Sequence, residues 1–275
     1  DCTTAVKCAT CGETVVEAKE SHTTELAENK ATCQNKAKCD LCGTEYGEKD
    51  TNNHTGTLGT PVPTEDDTQH IATWSCCEAT VTEEHTPDES YTANGNVIMV
   101  SCSECHGTAG TATITAENTT YNGTAQETAT VAYSEGWNSG ELTVSYANNT
   151  NAGTATASIT VGEATASVEF TIAKAEIDGA TLINPEFAKG LIYNGTAQAL
   201  VTKTGSVDGG YIVYSLSIDG EYTTTIPVAT EAGNYRVYWT IECDENHYVD
   251  GTPGSSRVTI AKANPEYTVP TGLTA

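Results

Sequence analysis

The sequence predicts an all-β protein in which small cysteine- and histidine-rich units precede tandem β-sandwich domains. Three observations predict it. Ten of the eleven cysteines and five of the six histidines lie in the first 106 residues. From about Gly107 onward, Thr, Ser, Val, Ile, Ala and Tyr alternate in short runs bounded by Gly, Asn and Asp. Within that second part, three short motifs recur in the same order.

The first unit, residues 1–31, holds Cys2, Cys8, Cys11 and His22 in the pattern C-x5-C-x2-C-x10-H. The second, residues 32–60, holds Cys33, Cys39, Cys42 and His54 as C-x5-C-x2-C-x11-H. Three thiolates and an imidazole make a closed tetrahedral shell for zinc, and C-x2-C lets two sulfurs of one tight turn face one ion. Gly12 and Gly43 follow the two pairs, where a turn of positive φ favours glycine. Few large apolar residues separate these elements: Val15, Val16 and Leu26 in one unit, Leu41 and Tyr46 in the other. Units of this size cannot offset their chain entropy through such a core. A structural zinc site, worth on the order of 10 kcal/mol, can. Disulfides are the alternative. The odd total of eleven cysteines, the three per unit and the histidines that keep step with them argue for metal.

A third, less regular cluster occupies residues 61–107: His70, Cys76, Cys77, His85, Cys102, Cys105 and His106. Cys102 and Cys105 form the sulfur pair, with His85 as the third ligand. Cys76 or Cys77, which cannot easily both bind one ion, is the fourth; His70 and His106 are further candidates. The expected metal content is thus two or three structural zinc ions.

Strand-like period-two runs follow at Thr111 to Ala116, Glu141 to Tyr146, Val168 to Ile172 and Tyr235 to Ile241, with no run of helical periodicity after Gly107. Many strands joined by turn signals imply sandwiches. Tyr121-Asn-Gly-Thr-Ala-Gln126 recurs at Tyr193–Gln198, Ala152-Gly153 at Ala232-Gly233, and Thr171-Ile-Ala-Lys-Ala175 at Thr259–Ala263. These repeats set domains at 108–174 and 175–263, with 264–275 as the start of a further repeat or a linker. The chain therefore reads as part of a longer array. The sequons at Asn118, Asn122 and Asn194 read as turn chemistry.

The YNGTAQ turn, the "AGNYRVYWTI" strand and the closing "VTIAKA" resemble the small immunoglobulin-like repeats of bacterial cell-surface proteins, the MBG-type family. The segments "ATCQNKAKCDLCGTEYGEKDTNNHTGTL" and "HIATWSCCEATVTEEH" resemble the cysteine/histidine repeats beside such modules in large proteins of Gram-positive gut bacteria. The resemblance implies immunoglobulin-like sandwiches, an extracellular place at the bacterial surface and a role as stalk or adhesin.

Composition agrees with that expectation. Twelve basic against thirty-seven acidic residues give a formal charge of −25, which repels phosphate backbones and anionic lipid, so neither nucleic-acid nor membrane-surface binding is expected. No stretch approaches the ~20 apolar residues of a membrane span, so no insertion is expected either. No carboxylate pair stands out, and no phosphate loop or nucleophile elbow is present. Saturated zinc sites would lack an open position, so the chain reads as no enzyme. His247 reads as a solvated loop residue and Cys243, in parity with Val237, Trp239 and Ile241, as a buried free thiol. Arg236 and Tyr238 on the opposite face, with Tyr211, Tyr222 and Trp137, are candidate exposed aromatic contacts. The expected role is a structural stalk or adhesive fibre whose partners are neighbouring repeats of the same polypeptide. The alternatives are a recognition module for a host glycan or glycoprotein, including an immunoglobulin, and an accessory module of a larger extracellular enzyme.

Overall fold

The structure, a computed structural model, describes residues 2–251 and 253–265, so the expected further repeat at 264–275 lies almost wholly outside the described residues. The fold is nearly all β, and the described residues contain no α-helix. Single 3-10 turns occur at Ala27–Asn29 and Gly179–Thr181. The chain forms two compact units. One comprises residues up to 113 with 131–142 and 160–166; the other comprises 114–130, 143–159 and the described residues from 167 onward.

The first unit begins with minimal hairpins. Val6–Lys7 pairs with Thr14–Val16, and Ala37–Lys38 pairs with Glu45–Tyr46. Almost nothing is buried there: among residues 2–60, Cys39, 2% exposed, is the only buried residue. Val15, Val16, Leu26 and Leu41 are all at least half exposed, so no apolar core holds this region.

Regular sheets follow. Val62–Pro63, Gln69–Thr73 and Thr80–Glu84 form an antiparallel three-stranded sheet. Pro87–Asn94 and Val97–Cys102 make a hairpin that continues into Thr108–Ala116, with Thr108 opposite Ser101 and Thr113 opposite Val97. The boundary expected at 107/108 therefore falls inside one four-stranded sheet. In Val97–Cys102 the residues Ile98, Val100 and Cys102 are buried and their neighbours less so, the alternation of a strand with one covered face.

From Thr119 onward the internal repeats of the sequence become structural ones. One sheet runs in the order Thr119–Thr120, Ala164–Ala173, Gly153–Val161, Ser145–Ala147; another runs Leu191–Ile192, Gly254–Ala261, Gly233–Cys243, Gly210–Ser215. The first pairing of each is parallel, with Thr120 opposite Ala173 and Ile192 opposite Ala261. The next residue is the tyrosine of the YNGT motif in both cases. Tyr121 N–H donates to Ala173 O (2.9 Å) and Tyr193 N–H to Ala261 O (2.8 Å). The motif turns back through its asparagine: Asn122 Oδ1 accepts from Thr124 N–H (3.0 Å), and Asn194 Oδ1 from Thr196 N–H (3.0 Å). Gly123 and Gly195 take φ of 81° and 77°, which a side chain would resist. The expected turn chemistry is present at Asn122 and Asn194, whereas Asn118 Oδ1 accepts from Thr171 N–H (2.7 Å) and so ties two strands instead.

Leu200, Tyr214, Val237, Val258 and Ile260 form the centre of the buried cluster in the second repeat. Tyr214 donates its phenol to Thr204 O, satisfying the one polar atom it buries. Asn246 is buried as well. Its Oδ1 accepts from Ala152 N–H (2.8 Å) while its backbone carbonyl accepts from Ala175 N–H (2.9 Å), so residues of both repeats close on one residue.

Three expectations change. The run Glu141 to Tyr146 pairs only over Ser145–Ala147. The residues before it are tied by side chains instead, with Leu142 N–H donating to Tyr133 Oη (2.6 Å) and Trp137 Nε1–H to Gly140 O (2.8 Å). Trp137 is half-buried, its ring 5.7 Å from Tyr91 and 5.8 Å from Tyr133. His247 is packed rather than solvated: it lies in a short parallel pairing with Ala175, 5.2 Å from the Tyr121 ring, with Nδ1 2.7 Å from Asp244 Oδ1. Cys243 is a free, partly buried thiol packed against the cluster.

Candidate metal centres

Every C-x2-C pair sits in one backbone turn. Cys8 N–H donates to Glu13 O (2.8 Å) and Gly12 N–H returns to Cys8 O (2.9 Å). The same two bonds link Cys39 with Thr44 and Gly43 (3.0 and 2.8 Å), and Cys102 with Gly107 and His106 (2.7 and 3.1 Å). The fifth residue needs positive φ: Gly12 has 75°, Gly43 69° and His106 61°. His106 therefore fills a turn position and belongs to none of the clusters.

A fourth copy of the turn carries no C-x2-C. Trp74 N–H donates to Ala79 O (2.8 Å), Glu78 N–H to Trp74 O (3.2 Å), and Glu78 has φ 59°. Trp74 stands where the first cysteine stands elsewhere, and Cys77 where the second does. Cys76, between them, supplies the missing sulfur. The indole stacks on His54, centroids 4.4 Å apart and planes at 11°.

The turns at Cys39 and Trp74 serve the histidine of the preceding unit, whereas the turn at Cys102 serves two histidines of its own. Cys2 and His22 meet Cys39 and Cys42; Cys33 and His54 meet Cys76 and Cys77; His70 and His85 meet Cys102 and Cys105. In each set the four ligand atoms lie within 4.8 Å of one another. The grouping is thus staggered: a leading ligand and a histidine reach past one turn to close on the next. The expected within-unit sets, Cys2 with Cys8 and Cys11 or Cys33 with Cys39 and Cys42, are not what the structure brings together. Cys8 and Cys11 stand outside all three clusters. Cys76 and Cys77 share one cluster, though adjacent cysteines were expected to exclude each other; the turn points both sulfurs the same way, 3.7 Å apart.

In the first cluster Cys2 Sγ lies 3.2 Å from His22 Nδ1, 3.4 Å from Cys39 Sγ and 3.4 Å from Cys42 Sγ. In the second, Cys33 Sγ is 3.3 Å from Cys76 Sγ, and His54 Nδ1 is 3.2 Å from Cys77 Sγ. In the third, His70 Nδ1 is 3.6 Å from Cys102 Sγ and His85 Nδ1 is 3.2 Å from Cys105 Sγ. All eleven cysteines are free; bonded sulfurs would stand about 2 Å apart.

Comparison of the chain with family models, with curated proteins and with solved structures finds no match.

Electrostatics favour a cation in these clusters. Backbone N–H groups of Leu41, Thr23 and Cys42 hold Cys39 down to about 5, so it is a thiolate at neutral pH. Desolvation and the sulfurs of Cys39 and Cys42 push Cys2 up to about 11. Desolvation likewise heads the causes that push Cys33 up to about 12. Several sulfurs in contact cannot all ionise unless a positive charge joins them. In the third cluster both Nδ1 atoms face the sulfurs, while His70 Nε2 lies 3.6 Å from Glu104 and 3.7 Å from Glu83, and His85 Nε2 3.7 Å from Asp67 Oδ1. Carboxylates behind the ligating imidazoles are a common outer shell of metal sites. Asp67 is itself fixed by Thr108 N–H, which donates to Oδ2 (3.0 Å).

The stagger had a readable signal. Cys39 follows His22 by seventeen positions, and Cys102 follows His85 by seventeen. The match links a histidine to the pair after it, whereas the reading by repeat unit linked it to the pair before it.

Proposed function

We propose that this chain is a non-catalytic segment of a bacterial surface protein, a spacer or adhesive fibre whose front is clamped by structural zinc and whose rear consists of immunoglobulin-like sandwich repeats. The observation that carries the reading is the contrast within the front. Residues 2–60 bury one residue, Cys39, yet eight thiols and four imidazoles of the front converge in three sets of four. The donor sets fit zinc. Sulfur at about 2.3 Å from a tetrahedral ion places neighbouring sulfurs about 3.8 Å apart; Cys2 lies 3.4 Å from both Cys39 and Cys42, and Cys76 lies 3.3 Å from Cys33 and 3.7 Å from Cys77, sulfur to sulfur.

Two Cys3His sets and one Cys2His2 set would each fill four positions from the protein, leaving none for water or substrate. Their role on this reading is mechanical. Two of the ions would tie one unit to the next and the third would close residues 61–107 on themselves, so the front is a series of clasps, with contact restricted to neighbours as in other repeat proteins. Repeat-for-repeat registers in the rear, the acidic surface and the lack among the described residues of any helix long and apolar enough to cross a membrane are in keeping with this reading. Elemental analysis with native mass spectrometry should find three zinc ions per chain, lost to a chelator. A mass without bound metal, or with sulfurs joined pairwise, would end the reading.

A second reading is a recognition module for a host glycan or glycoprotein. Tyr211 and Tyr248 are nearly half exposed, and the Arg236 guanidinium lies 5.8 Å from the Tyr238 ring centre on a strand face. Binding of the chain to a glycan or serum-protein array, lost in Tyr238→Ala, would favour it over the spacer.

A further inference from the structure

We propose that Cys8 and Cys11 are half of a fourth metal site, completed by a leading cysteine and a histidine from a further unit of the same kind. The inference rests on the structural-metal reading above and extends it to a site with an external partner. The Cys8 turn has the same pair of backbone bonds and the same positive φ as the turns at Cys39 and Cys102. Both of those turns close a cluster with a limb that begins upstream. The Cys8 turn is built alike and joins no cluster.

Two other features of this turn match a surface awaiting its limb. In the complete sites, the residue after the first turn position donates to the chain just past the histidine. Asp40 N–H bonds Thr23 O (3.1 Å), Ser103 N–H bonds Thr86 O (2.9 Å), and Ser75 N–H bonds Thr57 O (3.0 Å). Ala9 is the corresponding residue here; it is exposed and, among the described residues, donates to no such carbonyl. The second feature is apolar. Tyr46, seven residues after Cys39, covers the His22 ring with centroids 5.1 Å apart. Val15, seven residues after Cys8, is 66% exposed, an uncovered apolar side chain where an imidazole would rest.

The chain's own limbs are engaged elsewhere: Cys2 with His22, Cys33 with His54 and His70 with His85 each face a later turn. The partner is therefore an additional limb of the pattern C-x19-H or C-x20-H, with its histidine about seventeen residues before Cys8 when the limb is in the same polypeptide. Its thiolate and imidazole, with Cys8 and Cys11, would give a third Cys3His shell. Units would thereby join head to tail through shared ions.

The test is a tandem fusion in which a second copy of residues 1–31 is placed ahead of residue 1, which sets the added histidine seventeen residues before Cys8. Native mass spectrometry of the zinc-loaded protein should show three ions for the 275-residue chain and four for the fusion. Alkylation should label Cys8 and Cys11 in the former and spare them in the latter. Cys2→Ser with His22→Ala in the added copy should return the count to three. A synthetic peptide of residues 1–31 carrying Cys8→Ser and Cys11→Ser, added to the unfused chain, should also raise the count to four, which keeps the test independent of how the fusion folds. A count that stays at three, with Cys8 and Cys11 still labelled in both experiments, overturns the proposal. So does a zinc-bridged dimer of the unfused chain held by two Cys8–Cys11 pairs, because the partner would then be a second copy. Failure of the unfused chain to bind three ions is a separate result and overturns the structural-metal reading instead.

Discussion

At the scale of single residues, the same side-chain type does different work according to the backbone beneath it. His22, His54, His70 and His85 turn Nδ1 toward sulfur, whereas His247 turns Nδ1 toward Asp244 at 2.7 Å. Its hydrogen bond with His247, followed by those from Asn246 and His247 N–H, holds the Asp244 carboxyl below its ordinary 3.8. The folded state thus binds this proton more weakly than the unfolded state does. The stabilisation is complete above the unfolded value near 4 and is lost as pH falls through the lowered folded value. Asp244→Asn should lower the thermal midpoint of the rear repeat at pH 7. The gap between variant and parent should close as the pH is taken from 5 to 3 in a series of calorimetric scans. A gap independent of pH would show that packing, and not charge, ties this loop.

At the scale of elements, the four turns at Cys8, Cys39, Trp74 and Cys102 show how much the sequence made legible. C-x2-C-G announced two of them, because glycine after the pair marks the positive φ that the turn requires. The other two use Glu78 and His106 at that position, and a histidine beside two cysteines reads as a ligand when only spacing is seen. His106→Gly separates the two roles. It should keep the third ion and stabilise the protein by about 1 kcal/mol, since a side chain in the left-handed region costs ~1–2 kcal/mol. Loss of one ion by elemental analysis would make His106 a ligand after all. The YNGT turns and the TIAKA strands were legible because each is a local pattern that repeats. The run ELTVSY misled because period two reports a covered face, and here Tyr133 and Trp137 hold those residues without strand pairing.

At the scale of the whole molecule, the front, clamped by metal on the proposed reading, and the rear, held by an apolar core, differ in what stabilises them. Buried apolar side chains such as Leu200, Val237 and Ile260 serve the rear, and no comparable cluster occurs in residues 2–60. Chelation should therefore abolish hydrogen-exchange protection across residues 2–60 while residues 175–263 keep theirs; uniform loss along the chain would contradict this division. All-β character and the gathering of ligands at the front were readable in the sequence because composition and spacing encode both. The partnership between ligands was not, since in the first two clusters a limb and the turn it closes lie in successive units and either direction of pairing satisfies the count. The most direct test of that partnership is alkylation mapping of the zinc-loaded Cys39→Ser, Cys42→Ser double variant. The staggered arrangement predicts that Cys2 becomes reactive while Cys33, Cys76 and Cys77 stay protected. Exposure of Cys33 with Cys2 still protected would mean that each unit closes on itself.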